Sequence, residues 1–244
     1  MAIPDEPSWP PRILMVTRAT SENSKVHGHP VGAITPIMCK TLLDAGFEVE
    51  ISNNTDRIRN PDPAQGLNSF DAVLFHGKIE QPDDEAVEAL RVFVEGGKGL
   101  GVVHIASASF TGSRPWLDLI GSAWVYDEGV YGPFKSTHPP AGPVTVQVTA
   151  PQHPIMAGLP SEFTFAAEEL YQIMAPSEVY GPGTELARGS QVTEIGVAVE
   201  PVAFAFGRGR GRVFNLYPGH FVSTHRDWRF QKMVTQGLEW AAGR

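Results

Sequence analysis

Histidines occupy positions of this sequence where chemistry is expected, because several of them follow predicted strands. Five of the eight do so: His27, His29, His76, His104 and His220. In an open α/β sheet, the ligand crevice lies outside the carboxyl ends of the strands. A single histidine at a strand end is usually structural, but five at one edge favour a pocket in which imidazole acts as a base or binds a metal.

The single cysteine, Cys39, limits what could hold a metal in such a pocket. It excludes an internal disulfide framework and a multi-cysteine zinc site. Cys39 falls in a predicted amphipathic helix and is interpreted as a small core residue. Histidine and carboxylate are the remaining ligands, and they suit zinc, manganese or iron. His138 and His153 give weaker signals, and His225 fits either group.

An acidic pair, Glu168 and Glu169, follows the apolar and aromatic run FTFAA. Two interpretations remain open. The pair either begins a solvated helix, or one carboxylate reaches the histidine pocket as a metal ligand or general base. Adjacent residues point in different directions, so only one of the two is expected to enter a pocket.

Strands and helices alternate in the first half of the sequence and must position these side chains. Short apolar runs predict four strands, at 12–17, 47–51, 72–75 and 100–105. Helices are predicted at about 35–45 and 83–95, the first with Thr35 as N-cap and Pro36 at the first helical position. Parallel neighbours need helical crossovers, so this order predicts a doubly wound parallel sheet with 100–105 at its centre.

The second half has a different pattern. Val144, Val146 and Val148 alternate as in a strand, and two apolar runs flank GRGRG, which predicts a hairpin turn. Helices are predicted near 115–120 and at 227–242, and the rest of 111–142 is interpreted as insertion loops. The expected fold is α/β, with a mostly parallel sheet and a β-hairpin near the C-terminal end.

Composition narrows the class of protein. With 42% hydrophobic residues, 244 residues suffice for one core, so one domain is expected over 1–244, with 1–11 as an N-terminal extension. A formal net charge of −8 argues against a nucleic-acid partner. No apolar stretch is long enough to span a membrane, and the acidic, proline-rich start is unlike a signal peptide, so a cytoplasmic location is expected.

A nucleotide cofactor is not expected. The run GGKGLG at 96–101 precedes its strand, whereas a phosphate-binding turn follows a strand and opens a helix. The number of subunits does not follow from the sequence, and a homo-oligomer is compatible with it.

Three segments resemble motifs of the trehalose-utilisation (ThuA-like) family. They are GGKGLGVVHIASASF, HPIMAGLPSEFTFAAEELY and GRGRGRVFNLYPGHF, the last followed by a closing GLEWAAGR. The resemblance runs from about residue 95 to the C-terminus, while the N-terminal third is similar only in strand order. It implies a flavodoxin-like three-layer sandwich of the class I glutamine amidotransferase-like superfamily.

The resemblance also implies site residues. Four match recurring polar positions of the family: His104, Glu169, Tyr171 and His220. The two histidines and Glu169 are expected to be catalytic and are candidate metal ligands, and Tyr171 is expected to bind substrate. We assign His29 and His76 as supporting ligands or substrate contacts.

Glutamine hydrolysis is excluded at this site. Amidotransferases of this fold carry a nucleophilic cysteine in the sharp turn after the strand that here ends at His104, and this chain has no cysteine there. Ser107 or Ser109 as a substitute nucleophile is disfavoured, because the G-x-S-x-G elbow is absent.

The resemblance implies a carbohydrate-processing enzyme acting on 3-keto sugars or glycosides. A ketone at C3 acidifies the C2 proton, so a base can remove it, and the enediolate can then expel the C1 substituent or be reprotonated. A divalent metal would stabilise the enediolate oxygen. The alternative is a non-catalytic sugar-binding or regulatory module that kept the fold.

Three expectations test these assignments. His104→Ala and His220→Ala should lose activity with little change in thermal midpoint, because histidines at the rim contribute little packing. Glu169→Gln should abolish activity, whereas Glu168→Gln should behave almost normally.

Overall fold

One mixed sheet of nine strands positions the candidate site. The computed structural model describes residues 10–18, 29–180 and 183–244. The strands, numbered along the chain, are β1 (Arg12–Val16), β2 (Glu48–Ser52), β3 (Ala72–Phe75), β4 (Gly99–Val103), β5 (Ser122–Ala123), β6 (Gly142–Val148), β7 (Glu162–Glu168), β8 (Ala175–Pro176), β9 (Thr184–Thr193), β10 (Gly196–Arg208) and β11 (Gly211–Leu216). Their order in the sheet is β2-β1-β3-β4-β11-β10-β9-β6-β7, and β5 pairs separately with β8.

The sheet has a parallel half and an antiparallel half. Strands β2, β1, β3, β4 and β11 are mutually parallel, whereas β10, β9, β6 and β7 join by antiparallel pairing. As predicted, β4 lies inside the parallel half and is buried along its whole length. The predicted hairpin is also present, since β10 and β11 pair around a turn at Gly209 and Arg210.

Helices cover both faces of the parallel half. They are α1 (Val31–Asp44), α2 (Asp56–Arg59), α3 (Asp84–Glu95), α4 (Arg114–Ile120), α5 (Val222–Arg226) and α6 (Trp228–Ala241). Met38 of α1 and Phe230 of α6 pack with Ile13 of β1 in one core cluster, while Leu90 of α3 and Trp116 of α4 belong to a second cluster. The predicted α/β three-layer fold is thereby confirmed.

The predicted start of the first helix is wrong. Helix α1 begins at Val31 rather than after Thr35, so Pro36 lies inside it. Proline has no N–H to donate to the carbonyl of residue 32, so one hydrogen bond of the helix is missing there. The Thr35 hydroxyl donates to the Val31 carbonyl at 2.7 Å, so it bonds within the helix instead of capping it.

The antiparallel half curls back towards the parallel half. Four strand spacings separate β7 from β11, which in a flat sheet would be roughly 19 Å. Instead the Glu168 carboxylate at the end of β7 accepts a hydrogen bond from the backbone of Gly219, just beyond β11, at 2.9 Å. This curvature brings the end of an antiparallel strand to the carboxyl ends of parallel ones. Among the described helices, none is both long and apolar enough to cross a membrane.

Candidate functional site

His104 stands on the sharp turn after β4. Its φ is +52°, a left-handed value that a residue with a Cβ adopts only at a cost, and a short 3₁₀ turn follows it. The G-x-S-x-G sequence is absent, yet the strained turn itself is present with histidine on it. The side chains of Ser107 and Ser109 are both buried and bonded to backbone groups, which agrees with excluding them as nucleophiles.

The ring of His104 is fixed by a hydrogen bond behind it. Its Nδ1 lies 2.6 Å from the carbonyl oxygen of Tyr217, and because a carbonyl only accepts, Nδ1 is the donor. In the neutral ring Nε2 is then unprotonated. That atom faces Nε2 of His29 at 2.9 Å and the hydroxyl of Tyr171 at 3.0 Å.

Four side chains converge on one small volume. His29, His104, Glu169 and His220 each offer one ligand atom, and the four atoms lie within 4.8 Å of one another. Adjacent parallel strands β4 and β11 end at the same edge, which places two of the histidines side by side. His29 joins them from the residues just before α1. The structure therefore brings together the three residues predicted as catalytic or metal ligands with one of the supporting histidines.

Glu169 is the acidic member of this group. Its Oε2 lies 3.1 Å from His220 Nδ1 and 3.5 Å from His104 Nε2. Burial opposes ionisation of the carboxyl group, but its contacts with the two histidines outweigh that effect and hold the pKa of Glu169 well below its ordinary value. Glu169 is thus a carboxylate at neutral pH, a good ligand for a cation and a weak proton acceptor.

Tyr171 contacts His104 directly rather than lying at the mouth of the site. The two rings stack at 4.6 Å, and the hydroxyl points to Nε2. Burial, followed by the nearby Glu169 carboxylate, raises the pKa of Tyr171 well above its ordinary value, so the hydroxyl keeps its proton. Its assignment as a substrate-binding residue stays a prediction.

Glu168 does not begin a solvated helix, and it takes part in holding the site in place. It ends strand β7, is 0% exposed, and accepts hydrogen bonds from the backbone N–H groups of Glu169, Gly219 and His220 at 2.9–3.0 Å. One buried carboxylate therefore fixes the backbone of two of the converging residues. The physical reason for expecting Glu168→Gln to be almost normal is removed.

His225 holds the same loop from the other side. It is buried, and its Nε2 donates to the Gly219 carbonyl at 2.9 Å. Gly219 itself has φ +142°, and a Cβ there would lie 3.1 Å from the Cβ of His104, so glycine is required for the close approach. No sequence signal identified Glu168 or His225 as partners, because their bonds join segments far apart in the chain.

His76 lies outside the four-residue group. It is buried, its ring is 5.4 Å from that of His225, and neither of its nitrogens has a hydrogen-bond partner among the described residues. Burial, with smaller contributions from His225 and His104, lowers the pKa of His76 well below its ordinary value. A neutral, buried ring behind the site does not match the predicted ligand or substrate contact.

Of the remaining described histidines, His138 lies at the site and His153 lies away from it. His138 is 34% exposed at the mouth of the site, with Nε2 3.5 Å from Glu169 Oε1, and sequence reasoning had given it little weight. His153 packs against Trp240 away from the site. His27 lies outside the described residues.

His104 is only 2% exposed. Replacing it with alanine was expected to leave stability unchanged because a histidine at the rim contributes little packing. Since the side chain is buried, that reason no longer holds.

The sheet order and the sharp turn after a buried parallel strand are those of the class I glutamine amidotransferase-like superfamily, and His104 stands on that turn. A family profile described as trehalose utilisation (ThuA) matches residues 12–241. The chain therefore belongs to the ThuA family, and this family implies a carbohydrate-related role. No curated protein matches the sequence.

Solved structures resemble this one over nearly the whole chain. A putative ThuA-like protein from Parabacteroides merdae is 19% identical, with a TM-score of 0.76 and coverage of 96% of this chain and 90% of its own. Another from Bacteroides uniformis is 18% identical, with a TM-score of 0.68 and coverage of 98% and 95%. A cytoplasmic protein from Salmonella typhimurium is 10% identical, with a TM-score of 0.59 and coverage of 95% and 98%. At these identities the likeness establishes the fold alone.

Proposed function

We propose that this protein is a metal-dependent enzyme that removes the C2 proton of a 3-keto sugar or glycoside. The observation that carries the proposal is the convergence of His29, His104, Glu169 and His220 with their ligand atoms within 4.8 Å. Three imidazole nitrogens and one carboxylate oxygen are a donor set for zinc, manganese or iron. The bond from His104 Nδ1 to a backbone carbonyl supports it, because metal-binding histidines are usually oriented in this way.

When bound, a divalent metal would supply a Lewis acid for the negative charge that develops on the C3 oxygen. The chain itself supplies proton transfer. Glu169, with its depressed pKa, is suited to be a ligand and not a base. His138 lies beside it, outside the four-residue group and partly exposed, and we assign it as the proton acceptor.

The reaction balances without a further reactant. His138 takes the C2 proton, the C–H electron pair forms the C2–C3 double bond, and the charge moves to the C3 oxygen. When that pair returns to rebuild the C3 carbonyl, a C1–C2 double bond forms, the C1–O bond breaks and the leaving group takes up a proton. Reprotonation at C2 instead would give the epimer or the starting ketone.

Exchange of the C2 proton for deuterium, followed by NMR in D₂O, tests the proposal without requiring the leaving group to depart. Purified protein with a panel of 3-keto glycosides should show exchange and about one transition metal per chain, and a chelator should remove both. His138→Gln should keep the metal and lose exchange, whereas His153→Gln, the control at Trp240, should keep both.

Two results would contradict the proposal. Bound metal without exchange on any 3-keto glycoside would favour a sugar-binding or regulatory module. Exchange that survives both chelation and His104→Asn would show that the four residues do not bind a catalytic metal. Asparagine is chosen at position 104 because it tolerates a positive φ better than alanine does.

A further inference from the structure

We propose that Lys78 is a second proton-transferring residue of the reaction and donates the proton that the leaving group takes up. This inference rests on the proposed function and adds to it an acid that complements the base His138. Lys78 follows β3, which pairs in parallel with β4, so it lies at the same edge of the sheet as His104. It is only 7% exposed, and lysine is rarely buried to this extent.

The segment that carries Lys78 is held against the turn that carries His104. The backbone N–H of Ile79 donates to the Ser109 hydroxyl at 3.0 Å, and the N–H of Phe110 donates to the Ile79 carbonyl at 2.9 Å. Both bonds end on the backbone or side chains just after β4 and its turn. The backbone of Lys78 is therefore fixed beside the candidate site.

Aromatic side chains connect Lys78 with the rest of the site. Its ammonium nitrogen lies 4.3 Å from the centre of the Tyr126 ring. Tyr126 packs against a buried cluster that contains Trp124 and Tyr171, and the ring of Trp124 is 5.9 Å from that of His138. The candidate base and the proposed acid thus border the same set of rings at different members, which allows them to act on different atoms of one bound sugar.

The surroundings of Lys78 favour proton donation. Burial lowers the pKa of Lys78, an effect that Arg18 strengthens and Glu80 opposes, and these two residues form a salt bridge at 2.7 Å. A general acid works best when its pKa lies near the working pH, so the shift makes the ammonium group a better donor. The alternative donor, Tyr126, is less suited, because burial followed by Glu80 and Glu169 raises its pKa to about 12.

The transfer completes the elimination without a further reactant. As the C1–O bond breaks, its electron pair stays on the oxygen, and the N–H bond of the Lys78 ammonium group breaks so that its proton joins that oxygen. Lys78 is left as a neutral amine and His138 as an imidazolium, and proton exchange with water restores both. An alkoxide leaves poorly without such a proton, whereas 4-nitrophenolate leaves readily without it.

Two 3-keto glucosides with different leaving groups test the inference, with C2 exchange as the internal reference. In Lys78→Met, release of methanol from the methyl glycoside should fall by roughly 100- to 10,000-fold, the usual contribution of a general acid. Release of 4-nitrophenol should fall far less, and C2 exchange and bound metal should be retained, because neither needs a proton on the leaving group. Lys40→Met is the matched control, since Lys40 is exposed on α1 and pairs with Asp44.

Lys78→Arg keeps a cation above the Tyr126 ring but is too basic to donate a proton. It should show the same selective loss as Lys78→Met. Full methanol release by Lys78→Arg would overturn the inference, as would equal losses for the two leaving groups in Lys78→Met. Loss of exchange and metal in both variants would also overturn it and assign Lys78 a structural role.

The unaltered protein separates this inference from the proposed function. C2 exchange without release of either leaving group would overturn the inference alone, because the reaction would then end in reprotonation at C2. Release without C2 exchange would contradict the proposed reaction alone, and a selective loss of methanol release in Lys78→Met would still identify the donor to the leaving group.

Discussion

The two halves of the sheet contribute different parts of the candidate site. The parallel half supplies imidazoles at the carboxyl ends of its strands, with His104 and His220 on adjacent strands and the turn between strand and helix buried. The antiparallel half supplies Glu169 and Tyr171, and it ends in an exposed hairpin. The strand order therefore places His104 and His220 at one edge, whereas Glu169 reaches them, and the backbone of His220 is fixed by Glu168, only because the sheet curls.

The largest expected effect is the difference between substitutions at Glu168 and at Glu169, the neighbouring glutamates of the antiparallel half that contact the parallel half. Glu169→Gln removes the charge of the candidate ligand and should lower activity and metal affinity by more than the roughly 10- to 100-fold that the loss of an outer-shell partner costs. Glu168→Gln should lower the free energy of unfolding by about 1–3 kcal/mol, because an amide N–H₂ would face the backbone N–H groups it now accepts from. Activity assays and urea denaturation on both variants measure the difference.

Glu162→Gln, at the other end of β7 and exposed, is the matched control for both changes. If the two variants show the same profile, with activity lost and stability kept, Glu168 acts as a second ligand and not as the anchor that joins the halves. If neither loses activity, the carboxylate does not belong to the site.

A smaller effect is expected at the contact between Tyr171 and His104. Tyr171→Phe keeps the stacked ring and removes only the hydroxyl that faces Nε2. The hydroxyl donates to the Nε2 lone pair that a bound metal would take, so its removal should not weaken metal binding and should lower turnover by less than Glu169→Gln does. Titration with a metal of known concentration checks this, with Tyr180→Phe on the exposed surface as control. A loss as large as that of Glu169→Gln would instead place the hydroxyl on the reacting atoms.

The smallest effect concerns buried histidines of the parallel half and appears in stability rather than activity. Burial lowers the pKa of His225 to about 4, an effect that His104 strengthens and the bond to Gly219 opposes. In the unfolded chain His225 takes up a proton near pH 6.5, whereas in the folded protein it does so only near pH 4. The free energy of unfolding should therefore fall by about 3 kcal/mol for this group as the pH drops from about 6.5 to 4, and change no further below that. His76 should contribute in the same direction.

His225→Gln keeps a donor for the Gly219 carbonyl and cannot titrate. Its free energy of unfolding should therefore fall less steeply between pH 6.5 and 4 than that of the unaltered protein. Identical slopes would show that the acid sensitivity comes from the antiparallel half or from the ligand cluster.

The parallel half could be predicted from the sequence because its signals are local. The run 72–75 and the helix after Asp83 were located by apolar periodicity and capping, and the strand order then placed His104 and His220 at one edge. The role of Glu168 could not be predicted in this way. Its bonds to Gly219 and His220 span 51 and 52 residues, and no pattern along the chain records them.

His76 shows the limit of the same reasoning. A histidine at the carboxyl end of a parallel strand was expected to enter the pocket, and its position along β3 was right. The ring instead turns towards His225 and is buried, because side-chain direction depends on neighbours that a strand pattern does not specify. The prediction of where α1 begins was wrong for a related reason. A Thr-Pro pair is typical of a helix start, but here the pair lies inside the helix.

The anchor formed by Glu168 also determines when the site can exist during synthesis of the chain. Its partner backbone groups lie at 219 and 220, so a chain that has not yet reached those residues has the imidazole of His104 but no loop to complete the ligand set. Contacts between such distant segments form late, because closing a long loop costs entropy before the contacts form. Metal binding would therefore report completed folding, and a truncated or partly folded chain would be unable to take up the ion.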